Sequence, residues 1–380
     1  MLKKFGFKVS AAALLLSLGF AVSAENVDEA PPHECTSWML FKDMTGKDTT
    51  ILHKNRDSLN KKVSVLLKKE NGRTWIGMGD KYPCMAMNSS GLAGVMNGGE
   101  KCNDKSTNPN GKSTPHQLYE IIISCDTAAQ AKDKLISFIK AKDYIPRDQG
   151  SIFFFADTKE GYLIEFSASY YHVQKCDTGY VSRANIWHHP GMEKFALTEY
   201  RTFLIEATRE FVVRQKFNTA FRKNGKVTVD DITVLARETE TPKGAPNNRS
   251  LCCSWTNSTS TFEIDHEFPD VLSTAYMCVG YPRHTVLLPF PMCLEKVPEQ
   301  LTTPKWATKS YVRLKALKTR CELPAEWQAF EKESMVEYSK AHAEARAMLK
   351  ANRRKEAVAL LNKTFENIWK KAEKLPGLTD

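Results

Sequence analysis

The chain has 380 residues, 42% hydrophobic and 26% charged, so it can build a folded core and is not a disordered polypeptide. Its formal net charge is +10; without the three lysines of residues 1–24, 51 basic residues stand against 44 acidic and the excess is +7. That excess forms no long basic block, which argues against nucleic-acid binding and leaves attraction to anionic substrates or membrane surfaces open.

Residues 1–24 read as a secretory signal peptide, with Lys3, Lys4 and Lys8 before an apolar run and small residues up to Ala24 at the cleavage site. The run is short for a bilayer span, and no later stretch is apolar enough to cross one. The expectation is a secreted or periplasmic protein with no membrane span. Residues 25–34 form an acidic spacer containing Pro31 and Pro32, with the texture of a short pro-segment. Its removal would leave Cys35 as the N-terminus. A free α-amine has a pKa near ~8 and can act as general base for its own thiol. The other reading is that Cys35 is half of a disulfide in an exported protein. Spacing alone slightly favours the disulfide.

The segment from Cys35 to Asp57 has the pattern of a β-hairpin. Residues 37–41 and 49–52 are the strands, and residues 43–48, with Gly46, form the loop. The return strand ends in Lys54, Asn55, Arg56 and Asp57, which pairing would bring beside Cys35; nearby cations favour a thiolate. Residues 63–68 make a third strand, and residues 72–79 a turn or irregular strand. Residues 85–97 read as strand, tight turn and strand, with Gly91 and Gly94 permitting close backbone approach. Asn97 ends that strand, where its amide could donate to an oxyanion or merely start a turn with Gly98. A polar loop, residues 103–114, precedes two helices: one opened by Thr114 as N-cap with Pro115, the other capped by Asp126 or Thr127.

Strands follow at residues 151–156, 161–167 and 170–174, and another runs into Arg183, Ala184 and Asn185. His188 and His189 have no third ligand at metal spacing, so no metal site is expected. Residues 193–218 read as a helix with Leu197, Tyr200, Leu204, Ala207 and Phe211 on its apolar face. A short helix at 227–237 leads to strands at 259–264, 271–279 and 285–288. From residue 323 the chain turns helical, with Ala357, Leu361, Phe365, Ile368 and Trp369 on one face, expected to pack on the main domain. The order of elements gives an α+β layered domain, residues 35–322, with a helical C-terminal extension, 323–380.

Ten cysteines in an exported chain suggest disulfides, with Cys84–Cys102 and Cys278–Cys293 as the guessed pairs. Cys252 and Cys253 are too close in sequence for an ordinary bridge. Asn88, Asn248, Asn257 and Asn362 begin glycosylation acceptor triplets, which matter only in a eukaryotic secretory pathway.

Together these pieces resemble the N-terminal nucleophile (Ntn) hydrolases of the choloylglycine hydrolase type, a group spanning bile salt hydrolases, penicillin V acylases and related acyltransferase and acid-ceramidase-like families. The matching features are Cys35-Thr36 opening a hairpin and the run from His53 to Asp57. The strand from Gly91 to Asn97, the helix pair, the strands to residue 174 and the stretch from Arg183 to Asn185 also match. The resemblance implies a four-layer αββα sandwich and a linear-amide hydrolase needing no metal or cofactor. It implies that the Cys35 thiol attacks an amide carbonyl and that Asp57 holds the α-amine. Asn97 and Asn185 would flank the oxyanion and substrate amide. The family's arginine after the hairpin falls on Lys54, with Arg56 two residues on, and its late arginine falls on Arg249. Asn55 and Arg56 are the expected substrate-binding residues. The partner implied is a small-molecule amide, with homo-oligomerisation left open. An Ntn peptidase or dipeptidase, an acyltransferase, and a non-catalytic disulfide-held binding protein remain as alternatives.

Overall fold

The computed structural model describes residues 35–104, 108–145, 148–240, 250–317 and 322–378. Residues 1–34, with the expected signal peptide and pro-segment, lie outside them, as does Arg249.

In chain order the elements are β1 (Cys35–Leu40), α1 (Lys42–Thr45), β2 (Thr49–Asp57), β3 (Ser64–Glu70), β4 (Arg73–Gly79), β5 (Pro83–Asn88) and β6 (Ala93–Lys101). Then come α2 (Thr114–Ile122), α3 (Ala128–Lys140), β7 (Gln149–Ala156), β8 (Gly161–Phe166), β9 (Tyr171–Cys176), β10 (Tyr180–Arg183), α4 (Tyr200–Asn224) and α5 (Val229–Ala236). The chain closes with β11 (Thr256–Asp265), α6 (Pro269–Leu272), β12 (Thr274–Val279), β13 (Leu287–Pro291), α7 (Lys305–Leu317), α8 (Ala325–Lys350) and α9 (Arg354–Ala372).

Two antiparallel sheets result, ordered β10-β1-β2-β11-β12-β13 and β3-β4-β5-β6-β7-β8-β9. Strand alternation decides which side chains meet where. Met39, Leu52, Val95, Phe154 and Phe262 point between the sheets and form their shared core. On the outer face of the first sheet, Trp38, Leu40 and Ile51 pack under Val213 and Phe217 of α4 and Ile232 and Leu235 of α5. On the outer face of the second, Ala86, Phe153 and Phe155 meet Leu118, Ile121, Leu135 and Ile139 of α2 and α3. This is the αββα order that the resemblance implied. In the extension, Ala357, Leu361, Phe365, Ile368 and Trp369 of α9 are buried and join the main core, with Phe365 against Phe290 of β13.

Several local expectations change. The hairpin loop contains the helical turn α1, closed by Gly46 in the left-handed conformation. β4 is a regular strand, because Trp75 and Ile76 fill opposite cores while Gly77 lies against the backbone of Met85. Ser113, not Thr114, caps α2, its hydroxyl accepting from the His116 amide. Residues 271–272 belong to α6 rather than to a strand. α7 has no counterpart in the sequence reading. The expected pairs Cys84–Cys102 and Cys278–Cys293 do not form: Cys84, Cys278 and Cys293 carry free thiols.

Gly91 closes the β5–β6 turn, its amide donating to Asn88 O at 3.0 Å. Its φ is +83°, and a Cβ there would sit 2.9 Å from Pro269 Cβ. Gly91→Ala therefore costs about 1–3 kcal/mol, to be read as a lower unfolding midpoint in urea; an unchanged midpoint means that the turn relaxes freely.

Candidate active site

Cys35 is the first residue of β1, and its direct partner across the ladder is Arg56 of β2; Ser37 likewise faces Lys54. Directly opposed side chains share a face a few ångströms apart. Cys35, Ser37, Lys54 and Arg56 thus project into the space between the sheets, on the face that carries Met39 and Leu52. On the other side of β2, Ser258 and Ser260 of β11 are the partners of Arg56 and Lys54. These small residues leave room for two long cationic side chains.

Lys54 is fully buried, and its Nζ donates to Asn97 Oδ1 at 2.8 Å. Ser37 Oγ donates to the same oxygen at 2.7 Å. Asn97 Nδ2 is spent on the carbonyls of Arg183 (3.2 Å) and Ala184 (3.1 Å). Both amide hydrogens are so used in this structure, and the amide oxygen holds Lys54 and Ser37. Asn185 accepts from the Cys35 backbone nitrogen through Oδ1 at 2.5 Å and donates from Nδ2 to Gly98 O at 2.7 Å. The atom that holds the Cys35 nitrogen is therefore on Asn185, whereas Asp57 was expected there.

Asp57, one residue past Arg56, points to the outer face of the sheet. Its Oδ2 accepts from Arg209 of α4 at 2.5 Å and its Oδ1 from Thr256 Oγ1 at 2.6 Å. The β11 ladder shifts register between Thr256 and Ser258, and the irregularity sets the Thr256 hydroxyl against Asp57. Arg209 also lies 3.5 Å from Glu206, and Glu206 accepts from the Asn185 amide at 3.3 Å. Glu210 of the same helix accepts from the Ala184 amide. Sequence reasoning missed Arg209. The inward face of α4 is Ile205, Glu206, Arg209, Val212, Val213 and Phe217. The face expected inside, with Leu197, Tyr200 and Phe211, is exposed. The missed signal is a second stripe, spaced by three and four, holding Glu206 and Arg209 among apolar residues.

Asn55, expected to bind substrate, is also on the outer face. Its amide donates to the carbonyls of Ala236 and Leu251, both at 2.8 Å, and its oxygen lies 3.0 Å from His53 Nε2. It holds α5 to the sheet and does not reach the Cys35 side. His53 stacks on Trp38 with ring centres 4.0 Å apart, and burial pushes its pKa down to about 3, so the ring is neutral.

The stretch carrying Asn185 is held by a second buried carboxylate. Glu165 of β8 accepts from Arg183 Nε at 2.8 Å and from the amides of His188 and His189, while His189 Nδ1 lies 2.8 Å from it. His188 pairs with Glu210 at 2.9 Å. Among the described residues no cluster of His, Cys, Asp or Glu is arranged to hold a metal ion.

Cys35 opens on a cavity of about 370 Å³. Met96, Pro115, Ile145 and Cys84 give it an apolar wall, and Lys54, Arg56, Asp57, Asp148 and Gln149 belong to its polar lining. Among the described residues no histidine lines it. Arg56 Nη1 is buried and has no hydrogen-bond partner among the described residues.

No family model matches the chain, and no curated protein matches it. Among solved structures it is similar to a cysteine-to-alanine mutant of a conjugated bile acid hydrolase from Clostridium perfringens, with 12% identity and TM-score 0.46 over 68% of this chain and 92% of that one. An arginine-to-leucine variant of conjugated bile acid hydrolase from the same organism gives TM-score 0.45. A penicillin V acylase from Agrobacterium tumefaciens gives 10% identity and TM-score 0.43 over 68% of this chain and 86% of that one.

Burial alone would raise the Glu165 carboxyl; its bond to His189 and the charge of Arg183 outweigh burial and hold it down at about 2. A carboxylate lowered from 4.5 stabilises the fold fully above about pH 4.5 and loses that contribution as pH falls towards 2. The amount is on the order of 3 kcal/mol. Glu165→Gln is therefore less stable than wild type at pH 6 and shows a shallower fall in Tm between pH 4.5 and 2, measured by calorimetry. An acid limb as steep as that of wild type would assign the titration to another group.

Proposed function

We propose that this protein is a cysteine N-terminal nucleophile amidase of the linear-amide type, active after cleavage before Cys35. The carrying observation is the head of β1: the Cys35 backbone nitrogen sits on Asn185 Oδ1 while the residue lines a substrate-sized cavity. No described histidine lines that cavity to serve as base, and the imidazole on β2, His53, is neutral and faces away.

Cleavage would turn the Cys35 nitrogen into a primary amine held by Asn185. That amine takes the thiol proton as Sγ bonds to the amide carbon and the carbonyl π pair moves onto oxygen. Collapse of this adduct breaks the C–N bond, and the α-ammonium returns the proton to the departing amine. A thioester remains. Water then attacks it with the same amine as base, releasing the acid and restoring the thiol. The negative oxygen needs a donor that is not already committed. Asn97 has none left, and Lys54 spends one of its three N–H donors on Asn97. Arg56 Nη1, opposite Cys35, has no hydrogen-bond partner among the described residues, and this scheme gives it the oxyanion. The apolar cavity wall suits the acyl part of the substrate.

Two experiments test this. Intact mass and N-terminal sequencing of the exported protein should show wild type beginning at Cys35, with Cys35→Ala retaining residues 25–34 and lacking amidase activity. Wild type beginning at residue 25 and inert towards amides would defeat the reading. On a matured enzyme, Arg56→Leu should lower kcat on an N-acyl amide by about 10²–10³ with KM changed far less; a loss confined to KM would move Arg56 from the oxyanion to substrate binding.

The alternative of a peptidase or dipeptidase is separated by a panel of N-acyl amino acids against dipeptides. An acyltransferase is separated by whether an added amine captures the thioester in competition with water.

A further inference from the structure

α4 buries Glu206 and Arg209 among the apolar residues of its inner face and also carries aromatic residues on its outer side. Tyr200 is 76% exposed, Phe203 41%, Phe211 38% and Phe221 37%. With Ala207 between them, Tyr200, Phe203 and Phe211 recur at three- and four-residue spacing, and Phe221, ten residues on, falls on the same side of the helix. Leu197, just before the helix, is 55% exposed. Exposed aromatic residues in a row are uncommon on a monomer surface and mark a contact surface.

Within the helix the charges on this side have one sign, and one carboxylate, Glu199 at the N-cap, lies at its start. Helical spacing places Arg214 and Arg222 on the same side as the aromatic residues, both exposed, with the Arg214 guanidinium 5.4 Å from the Phe211 ring centre. The helix has only two acidic residues, Glu206 and Glu210. Glu206 is buried and Glu210 is bound to the Ala184 amide and His188, so neither offsets the arginines. Rings that settle at headgroup depth beside cations that meet phosphate form the pattern of a peripheral helix on an anionic bilayer. A second copy of the chain fits less well, because a twofold contact over this stripe would bring arginines of both copies together.

We infer that the outer face of α4 docks the protein on an anionic lipid surface. The helix would lie in the interface plane, and no helix among the described residues is long and apolar enough to cross a membrane. Its opposite face holds Asp57 through Arg209, about one helix diameter, ~10 Å, away. The inference is independent of the amidase reading, since it requires no chemistry at Cys35.

The test uses the full chain with vesicles of phosphatidylcholine alone and of phosphatidylcholine mixed with phosphatidylglycerol, scored by co-sedimentation. Wild type should partition to the mixed vesicles and much less to the neutral ones. Phe203→Ser/Phe211→Ser, with both positions exposed and Tm expected to hold, should lower that partition by about tenfold or more. Arg214→Glu/Arg222→Glu should abolish the preference for phosphatidylglycerol. Wild type remaining in the supernatant with both vesicle types overturns the inference. So does either variant partitioning as wild type does. A dimer in light scattering that the double serine variant dissolves also overturns it, assigning the stripe to self-association.

Discussion

The Asp57–Arg209 ion pair is the contact on which the site depends. Asp57 ends β2, Arg209 lies mid-helix in α4, and both are almost fully buried. Desolvating two charges is expensive, and the pair repays it only because further partners complete it. Thr256 completes the carboxylate, and Glu206 lies beside the guanidinium. Removing one member would leave a buried charge uncompensated, at about 3–5 kcal/mol. The same helix reaches the Asn185 and Ala184 amides through Glu206 and Glu210. One helix thus fixes the end of β2 and the stretch that holds the Cys35 nitrogen, from the side of the sheet opposite the thiol.

The two faces of β2 divide the work. Lys54 and Arg56 turn towards Cys35, while His53, Asn55 and Asp57 turn towards α4 and α5. In sequence the five residues read as one charged cluster. Period-two alternation sorts them: Lys54 and Arg56 share the face of Cys35, Asn55 and Asp57 bind α5 and α4 to the sheet, and His53 is held within it by Thr261 and Trp38.

Much of this was legible in the sequence. The hairpin from Cys35, the β5–β6 turn at Gly91, the two helices after residue 113 and the closing amphipathic α9 follow from local signals that tertiary structure did not override. What was not legible was side-chain partnership across the sandwich. Asn97 reads equally well as a donor to substrate or a support for Lys54 until Arg183 and Ala184 are seen to take its hydrogens. Apolar periodicity alone turns α4 the wrong way, with Leu197, Tyr200 and Phe211 inside, whereas the structure exposes them. The outer side of α4 carries a row of exposed aromatic residues, while its inner stripe mixes apolar residues with an arginine and a carboxylate whose buried partners lie far away in the chain. A hydrophobic periodicity argument cannot see an ion pair between residues 57 and 209.

The buried thiols carry a chemical consequence. Burial pushes Cys252, Cys278 and Cys293 up to about 12 and Cys176 to about 11, so at neutral pH these sulfurs stay protonated and are poor nucleophiles. Cys35 and Cys84 instead open on the cavity. The fold therefore acts as a protecting group for most of its own sulfur, and an alkylating reagent small enough to enter the cavity meets two thiols on facing sheets rather than a chain full of them.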